Sequence, residues 1–309
     1  MASHLIVDGF GSKAMLLRRR FEEVMADPEA PRSPERFSWD WWHVPGRYTH
    51  LRTPAARFFS KELMEGFRSE LQAWGRIELG CGEISPIWLS LYVEGCEQNW
   101  HADHPHGPWA FVYSLTPKSN AFRGGETQLL RPEVLSRWSF TAQGEFHADA
   151  IIEKIAPKFS RLIAFDPRIP HGVTRVEGTR DPLVGRLVLH GWFTPPQIHI
   201  DGPLKPQQIR DFLKQLDVEI FHLLQGDSAS NSKVRIWSSS GHAAFRLRVL
   251  ASGKIQSFET LADSLRAPTP EQEVRDRKQL VTVMKKLVNR VRFPTRPRGS
   301  TITLPLSFE

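Results

Sequence analysis

Residues 87–115, IWLSLYVEGCEQNWHADHPHGPWAFVYSL, set two apolar runs, Ile87–Val93 and Trp109–Leu115, on either side of a polar loop. Both runs are rich in aromatic and branched side chains, too short for a helix and of ordinary length for a strand. Working outward, Glu126–Leu130, Arg161–Phe165 and Arg186–Phe193 (RLVLHGWF) are further β-type runs, punctuated by Gly, Pro, Asn and Asp. Many short strands between residues 77 and 200, with no helix between them, predict a mainly β, antiparallel fold that is closed or double-sheeted: a jelly roll.

The polar loop carries His101-Ala102-Asp103. Side chains two apart on an extended segment point to the same side, so both can reach one ion. His171, in AFDPRIPHGV, supplies a third donor. Two histidines and one carboxylate leave half of an octahedral metal open, which suits Fe(II) chemistry with a bidentate co-substrate and O2. Arg186 heads an apolar strand and offers a fixed, forked cation for the far carboxylate of such a co-substrate.

A second copy of the tripeptide, His147-Ala148-Asp149, lies in a polar stretch shortly before His171, with little chain for a sheet between the ligands. Position therefore favours the first copy. His104 and His106, beside Pro and Gly, read as entrance or solvent-facing residues, and Gly124-Gly125 lacks the lysine and strand-to-helix setting of a phosphate cradle.

Composition excludes several classes. No apolar run is long enough to span a membrane, and the first 30 residues do not have the layout of a signal peptide. Two cysteines, Cys81 and Cys96, match neither a disulfide framework nor a zinc spacing, which predicts a reducing, cytoplasmic setting. The net charge of +7 resides wholly in residues 206–309, which hold 17 Lys+Arg and 10 Asp+Glu. A solvated basic face, a docking surface for an acidic partner, or nucleic-acid binding through Lys278, Lys285, Lys286, Arg290, Arg292, Arg296 and Arg298 are the readings of that excess. Sparse aromatic interleaving disfavours nucleic acid.

The flanks divide the chain further. Residues 1–76 form a helical and aromatic flank on the β core of 77–200, with helices over 14–26 and 60–73 (Ser60 as N-cap) and the aromatic stretch FSWDWW at 37–42. Residues 201–229 comprise a helix, Pro206–Leu224, and the polar linker GDSASNS. Residues 230–309 read as a small α+β domain. It has strands at Val234–Trp237, Ala244–Leu250 and Ile255–Leu261, a helix over Glu271–Val291, and an edge strand at Ser300–Phe308, since Pro305 cannot donate to a ladder.

Tyr92-x-x-Gly-x5-His-x-Asp, then Gly-Gly-Glu-Thr at 124–127, Pro-His-x-Val at 170–173 and Arg186 before Trp192-Phe193 resembles the Fe(II)/2-oxoglutarate-dependent oxygenases, in their prolyl-hydroxylase-like branch. The resemblance covers roughly residues 85–195. It implies a double-stranded β-helix with Fe(II) held by His101, Asp103 and His171. Arg186 would bind the distal carboxylate of 2-oxoglutarate, with Tyr92 and Thr127 lining the same pocket. Arg180 stands at the family's usual distance from the second histidine, but Arg186 has the register to Trp192; the segment Glu177–Gly185 then reads as a lengthened hairpin. His190 and Trp192 share the Arg186 face by alternation, as pocket lining or, for His190, as core.

The retained carboxylate at 103 argues for hydroxylation over halogenation. O2 is the second co-substrate, succinate and CO2 the co-products, and ascorbate an accessory reductant. The substrate the resemblance implies is a protein or peptide side chain, with prolyl as one candidate; a small-molecule oxygenase and a non-catalytic 2-oxoglutarate sensor or adaptor are the alternatives. Residues 233–309 resemble TonB-like carboxy-terminal domains, which implies a partner-binding module.

Overall fold

A computed structural model describes residues 4–27, 34–103, 106–117, 121–131, 151–225 and 237–308. The second His-Ala-Asp copy, His104, the linker at 226–232 and residues 234–236 lie outside them. The chain divides into two compact units: Ala2–Ala73 with Glu83–Pro195, and Trp74–Gly82 with Pro196–Glu309.

The first unit contains strands β1 (His4–Val7), β2 (Asp40–Val44), β3 (Tyr48–Pro54), β4 (Trp88–Tyr92), β5 (Glu97–His101), β6 (Trp109–Ser114), β7 (Thr127–Leu130), β8 (Ile152–Ile155), β9 (Arg161–Phe165), β10 (His171–Val173) and β11 (Arg186–Phe193). Its helices are α1 (Ala14–Met25), α2 (Ala55–Phe58) and α3 (Lys61–Glu78), whose last turn belongs to the other unit. The eleven strands form one antiparallel sheet in the order β1-β9-β6-β11-β4-β3-β5-β10-β7-β8, with β2 paired to β3.

That sheet curls over on itself. β11 and β7 are five places apart, which in a flat sheet would separate them by about 24 Å. Yet Arg186 on β11 donates a hydrogen bond to Thr127 on β7 across 3.2 Å. The same closure brings Phe165 of β9 to 4.8 Å from His171 of β10, ring to ring. A mainly β, jelly-roll architecture with flanking helices is thus in place.

The runs RLIAF and RLVLHGWF are apolar on both faces because both faces are covered. One face lines the cavity. Behind the sheet, α1 buries Leu17 and Phe21 and α3 buries Phe67 and Leu71, each at helical spacing. Phe67 and Phe10 meet the Tyr113 ring of β6. Ser60 caps α3 by accepting the Leu63 N–H.

Two local expectations are refined. Within FSWDWW, Trp39 packs on Phe21 and Phe58 as expected, but Phe37 and Trp41 are exposed, and residues 40–44 form a hairpin with β3. β3 then sits inside the sheet, pairing with β4 through Leu51–Pro54 and with β5 through Tyr48 and Thr49. Residues 177–185 are not a hairpin, because β10 pairs with β5 and β7 while β11 pairs with β4 and β6. The turn formers there mark a change of direction but do not encode which strand the next run joins.

The second unit is α+β. β12 (His199–Asp201), β13 (Gly241–Val249), β14 (Ile255–Asp263) and β15 (Ser300–Phe308) form a sheet in the order β12-β15-β13-β14. Helices α4 (Arg210–Gln225) and α5 (Pro270–Arg290) bury Phe212, Leu216, Leu280, Met284 and Leu287 with Phe245, Leu247, Ile302 and Leu304 of the sheet. Gly253 turns the β13–β14 hairpin at φ +79°, in the left-handed region that favours glycine. Only part of β15 is an edge. β12 covers Thr301–Thr303 and stops short of Pro305, whose missing N–H faces no neighbour on that side.

Candidate active site

A bulge sets the first candidate ligand. His171 on β10 is opposite His101 on β5, and Val173 is opposite Gln98, so two steps on one strand face three on the other. The extra residue turns both Gln98 and His101 to the cavity, which strict alternation would forbid. Asp103 lies just beyond β5, its backbone N–H bonded to the Pro167 carbonyl at 2.9 Å.

The three side chains converge: His101 Nε2 is 3.5 Å from Asp103 Oδ1 and His171 Nε2 is 3.4 Å from Asp103 Oδ2. One donor atom from each of His101, Asp103 and His171 falls within 4.8 Å of the other two. Both Nδ1–H groups donate to backbone carbonyls, His101 to Asn99 at 2.9 Å and His171 to Ile169 at 2.8 Å. That fixes the tautomer and leaves both Nε2 lone pairs aimed inward.

Trp192 donates its indole N–H to Asp103 Oδ2 at 3.2 Å and orients the carboxylate. Burial raises the Asp103 pKa, but His171, His101 and Trp192 outweigh it and hold the acid below its ordinary value. Burial, with the neighbouring His171, lowers that of His101. Two imidazoles and one carboxylate form the donor set of a site for a divalent first-row metal.

The adjoining cavity of about 780 Å³ is walled by β3, β4, β6 and β11 on one side and β5, β7 and β10 on the other. Arg186 lies 1% exposed at its inner end. It stands directly opposite Tyr92 in the β11–β4 ladder, with its guanidinium 4.5 Å from the Tyr92 ring centre. Besides its bond to Thr127, its Nε and Nη1 have no hydrogen-bond partner among the described residues. A buried guanidinium with two idle nitrogens is costly by itself and fits a carboxylate ligand closely.

Arg180, by contrast, is exposed. Tyr92 is buried and donates its hydroxyl to Gln98 Oε1 at 3.3 Å, while Gln98 Nε2 lies 3.1 Å from His101 Nε2. His106 packs 4.7 Å from the Trp192 ring and lines the cavity.

The Gly-Gly of 124–127 acquires a steric reason. A Cβ on Gly124 would stand 1.8 Å from the Arg175 carbonyl oxygen, and φ is +79°. One on Gly125 would press on Arg186 Cδ at 3.1 Å, at φ +75°. Gly124→Ala is therefore expected to cost about 1–3 kcal/mol from the backbone conformation alone, more with the clash, seen as a lowered thermal midpoint. An unchanged midpoint would contradict this account of the loop.

Sequence reasoning missed His50, Arg52, Tyr48 and Trp42, which line the cavity from β2 and β3. The alternation of Tyr48, His50 and Arg52 with Thr49, Leu51 and Thr53 was the available signal. His50 stacks on Tyr92 at 5.1 Å, and His190 Nε2 is 2.8 Å from Ser90 Oγ. Burial and then the Arg52 and Arg186 cations push His50 down to about 4. Burial, then His50 and the same arginines, push His190 to about 3.

Both are neutral in the folded protein, while an unfolded histidine titrates near 6.5. Below that pH the unfolded chain binds more protons, so stability present above about 6.5 is lost as pH falls towards 4. The unfolding free energy of the wild type, read from urea titrations, should drop over that window by on the order of 3 kcal/mol for the pair after solvent screening. His50→Phe, which keeps the stacking, should flatten the slope; an unaltered slope would contradict the assignment.

Residues 87–194 match the family model described as the 2OG-Fe(II) oxygenase superfamily. Several solved structures are remotely similar. A prolyl hydroxylase from Trichoplax adhaerens, in complex with a hypoxia inducible factor oxygen degradation domain peptide fragment, is 16% identical, with 62% of this chain and 83% of that chain covered and a TM-score of 0.43. A Pseudomonas putida prolyl-4-hydroxylase is 18% identical over 63% of this chain and 94% of that one, with a TM-score of 0.42. A viral collagen prolyl hydroxylase from Paramecium Bursaria Chlorella virus-1 is 14% identical, covering 62% and 95%, with a TM-score of 0.39. No curated protein matches the chain.

Proposed function

We propose, from the match of residues 87–194 to the 2OG-Fe(II) oxygenase superfamily model, how this chain's own residues serve a hydroxylation. His101, Asp103 and His171 hold Fe(II), and Arg186 takes the distal carboxylate of 2-oxoglutarate with Thr127 and Tyr92 beside it. The observation that carries the reading is the pairing of a convergent His/Asp/His set with a buried guanidinium whose Nε and Nη1 lack partners in the same cavity.

When bound, Fe(II) with 2-oxoglutarate and O2 supplies the oxidising chemistry: one oxygen atom enters a C–H bond of the substrate, and succinate and CO2 leave. The chain's part is to position and to shield. The Asn99 and Ile169 carbonyls hold the two imidazoles with Nε2 inward. Trp192 fixes the carboxylate of Asp103. Arg186 and Thr127 aim the co-substrate from the inner end of the cavity, whose lining Phe165, packed on His171, and Val188 make apolar.

The preferred target is a C–H bond of a protein or peptide side chain reaching the cavity past Trp100, which is exposed at its edge. A small-molecule substrate is the second reading, favoured by the size of the cavity, which falls within the range of whole-ligand pockets. The basic face of α5, with Lys278, Lys285 and Lys286 exposed, would serve to recruit an acidic partner. The free thiols Cys81 and Cys96 are buried, in keeping with a cytoplasmic setting.

The test is mass spectrometry of peptides and metabolites incubated with the protein, Fe(II), 2-oxoglutarate and ascorbate in air. Products gaining one oxygen atom in proportion to succinate are expected, and their class separates the two substrates. Absence of both product and succinate would overturn the reading.

A further inference from the structure

The cavity wall carries a second cation beside Arg186. Arg52 extends from β3 into the wall shared with Arg186. Across β11, β4 and β3, residues Arg186, Tyr92 and His50 form one row, and Val188, Ser90 and Arg52 the next on the same face. Successive rows on one face are about 7 Å apart. Arg52 therefore sits one row along the strands from Arg186.

Its guanidinium lies against the ring of Trp42 and 4.1 Å from the ring centre of Trp88, while Trp42 is itself stacked on Tyr48 at 5.7 Å. Arg52 makes no ion pair among the described residues, and its Nε is buried without a hydrogen-bond partner. Asp40, its cross-strand neighbour in the β2–β3 hairpin, is exposed and outside ion-pair distance. Burial lowers the arginine to about 10, so it stays charged at neutral pH.

Charge balance points the same way. Among the described residues the cavity lining includes Arg47, Arg52 and Arg186 but a single carboxylate, Asp103. Bound Fe(II) and dianionic 2-oxoglutarate cancel, Asp103 offsets one arginine, and the imidazoles of His50 and His190 are neutral. Two guanidiniums remain, one exposed at the β2–β3 turn and one, Arg52, held within the wall. A partly desolvated cation between aromatic planes is preorganised for an anion and gains most when that anion arrives with a flat or apolar body.

We propose that Arg52, framed by Trp42 and Trp88, is the substrate-specificity residue of this site and that the primary substrate carries a carboxylate which it binds. The proposal rests on the oxygenase reading above and narrows its substrate to acids. The carboxylate has two sources, a free carboxylic acid or an aspartyl or glutamyl side chain near the oxidised position.

The test is binding, read by quenching of tryptophan fluorescence in the anaerobic protein loaded with Fe(II) and 2-oxoglutarate. One arm uses aryl and alkyl carboxylic acids, each paired with its uncharged amide. The other uses peptides with Asp or Glu, each paired with the Asn or Gln version. In one arm the acids are expected to bind at least tenfold more tightly than their amides, and that arm identifies the source. In Arg52→Gln the ratio should fall towards one, while Arg52→Lys should keep part of it.

The 2-oxoglutarate dissociation constant should be unchanged in both variants, which also shows that they fold. Equal binding of acids and amides, binding of neither, or an undiminished ratio in Arg52→Gln would overturn the proposal. Weakened 2-oxoglutarate binding in Arg52→Gln would overturn it too, because Arg52 would then be a co-substrate ligand. Failure of the wild type to bind 2-oxoglutarate with Fe(II) would instead count against the oxygenase reading.

Discussion

Replacing Arg186 with methionine should weaken 2-oxoglutarate binding by a factor of about 30 to 5,000 while leaving the co-substrate-free protein as stable as the wild type, or more so. The two effects have one cause. In the folded chain the guanidinium is 1% exposed, with Nη2 bonded to Thr127 and, among the described residues, Nε and Nη1 unmatched. Burial drives its pKa down, a sign that the cation pays a desolvation cost that Tyr92 and Glu126 only partly offset. Methionine fills similar volume without that cost, and exchanging buried charges for apolar groups is often neutral or stabilising by about 1–4 kcal/mol. Truncating one half of a buried charge pair costs about 2–5 kcal/mol of binding, which sets the expected loss.

Calorimetry of co-substrate binding and thermal unfolding with and without 2-oxoglutarate check both halves. A large loss of stability without ligand would mean that Arg186 is mainly structural. Retained affinity would move the co-substrate elsewhere in the cavity.

His101→Ala should lower anaerobic Fe(II) affinity by at least about a hundredfold and reduce succinate formation to background, since removing even an outer-sphere partner of a ligand costs about 10–100-fold. The bulge that turns His101 inward is held by backbone pairing, with Asn99 N–H bonded to the Arg47 carbonyl, so the variant should fold. Equilibrium dialysis against Fe(II), with circular dichroism as the control on folding, measures the effect. Trp192→Phe should act more mildly, loosening Asp103 without removing a ligand. Equal Fe(II) affinity in His101→Ala and the wild type would exclude this histidine from the metal site.

Much of this was legible in the chain because the signals were local. The apolar runs at 88–92, 109–114, 161–165 and 186–193 are strands for the reason their composition suggests, and His101, Asp103 and His171 converge as their residue types imply. Arg186 over Arg180 followed from register, and the structure buries the first and exposes the second. Less legible were features that depend on pairing across long separations. β3 looks like a polar connector until its face is seen between β4 and β5, so His50 and Arg52 escaped notice. Gln98 was hidden by the bulge, since alternation puts it opposite to His101. The 177–185 segment announces a turn, but the strand that follows joins neighbours more than 60 residues upstream in sequence.

The most direct measurement of the central claim is anaerobic visible absorption of the protein titrated first with Fe(II) and then with 2-oxoglutarate. The account predicts a weak metal-to-ligand band that appears only when both are present and saturates at one equivalent. It should vanish in His101→Ala and require far more 2-oxoglutarate in Arg186→Met. No band in the wild type, or a band of undiminished intensity in His101→Ala, would contradict it.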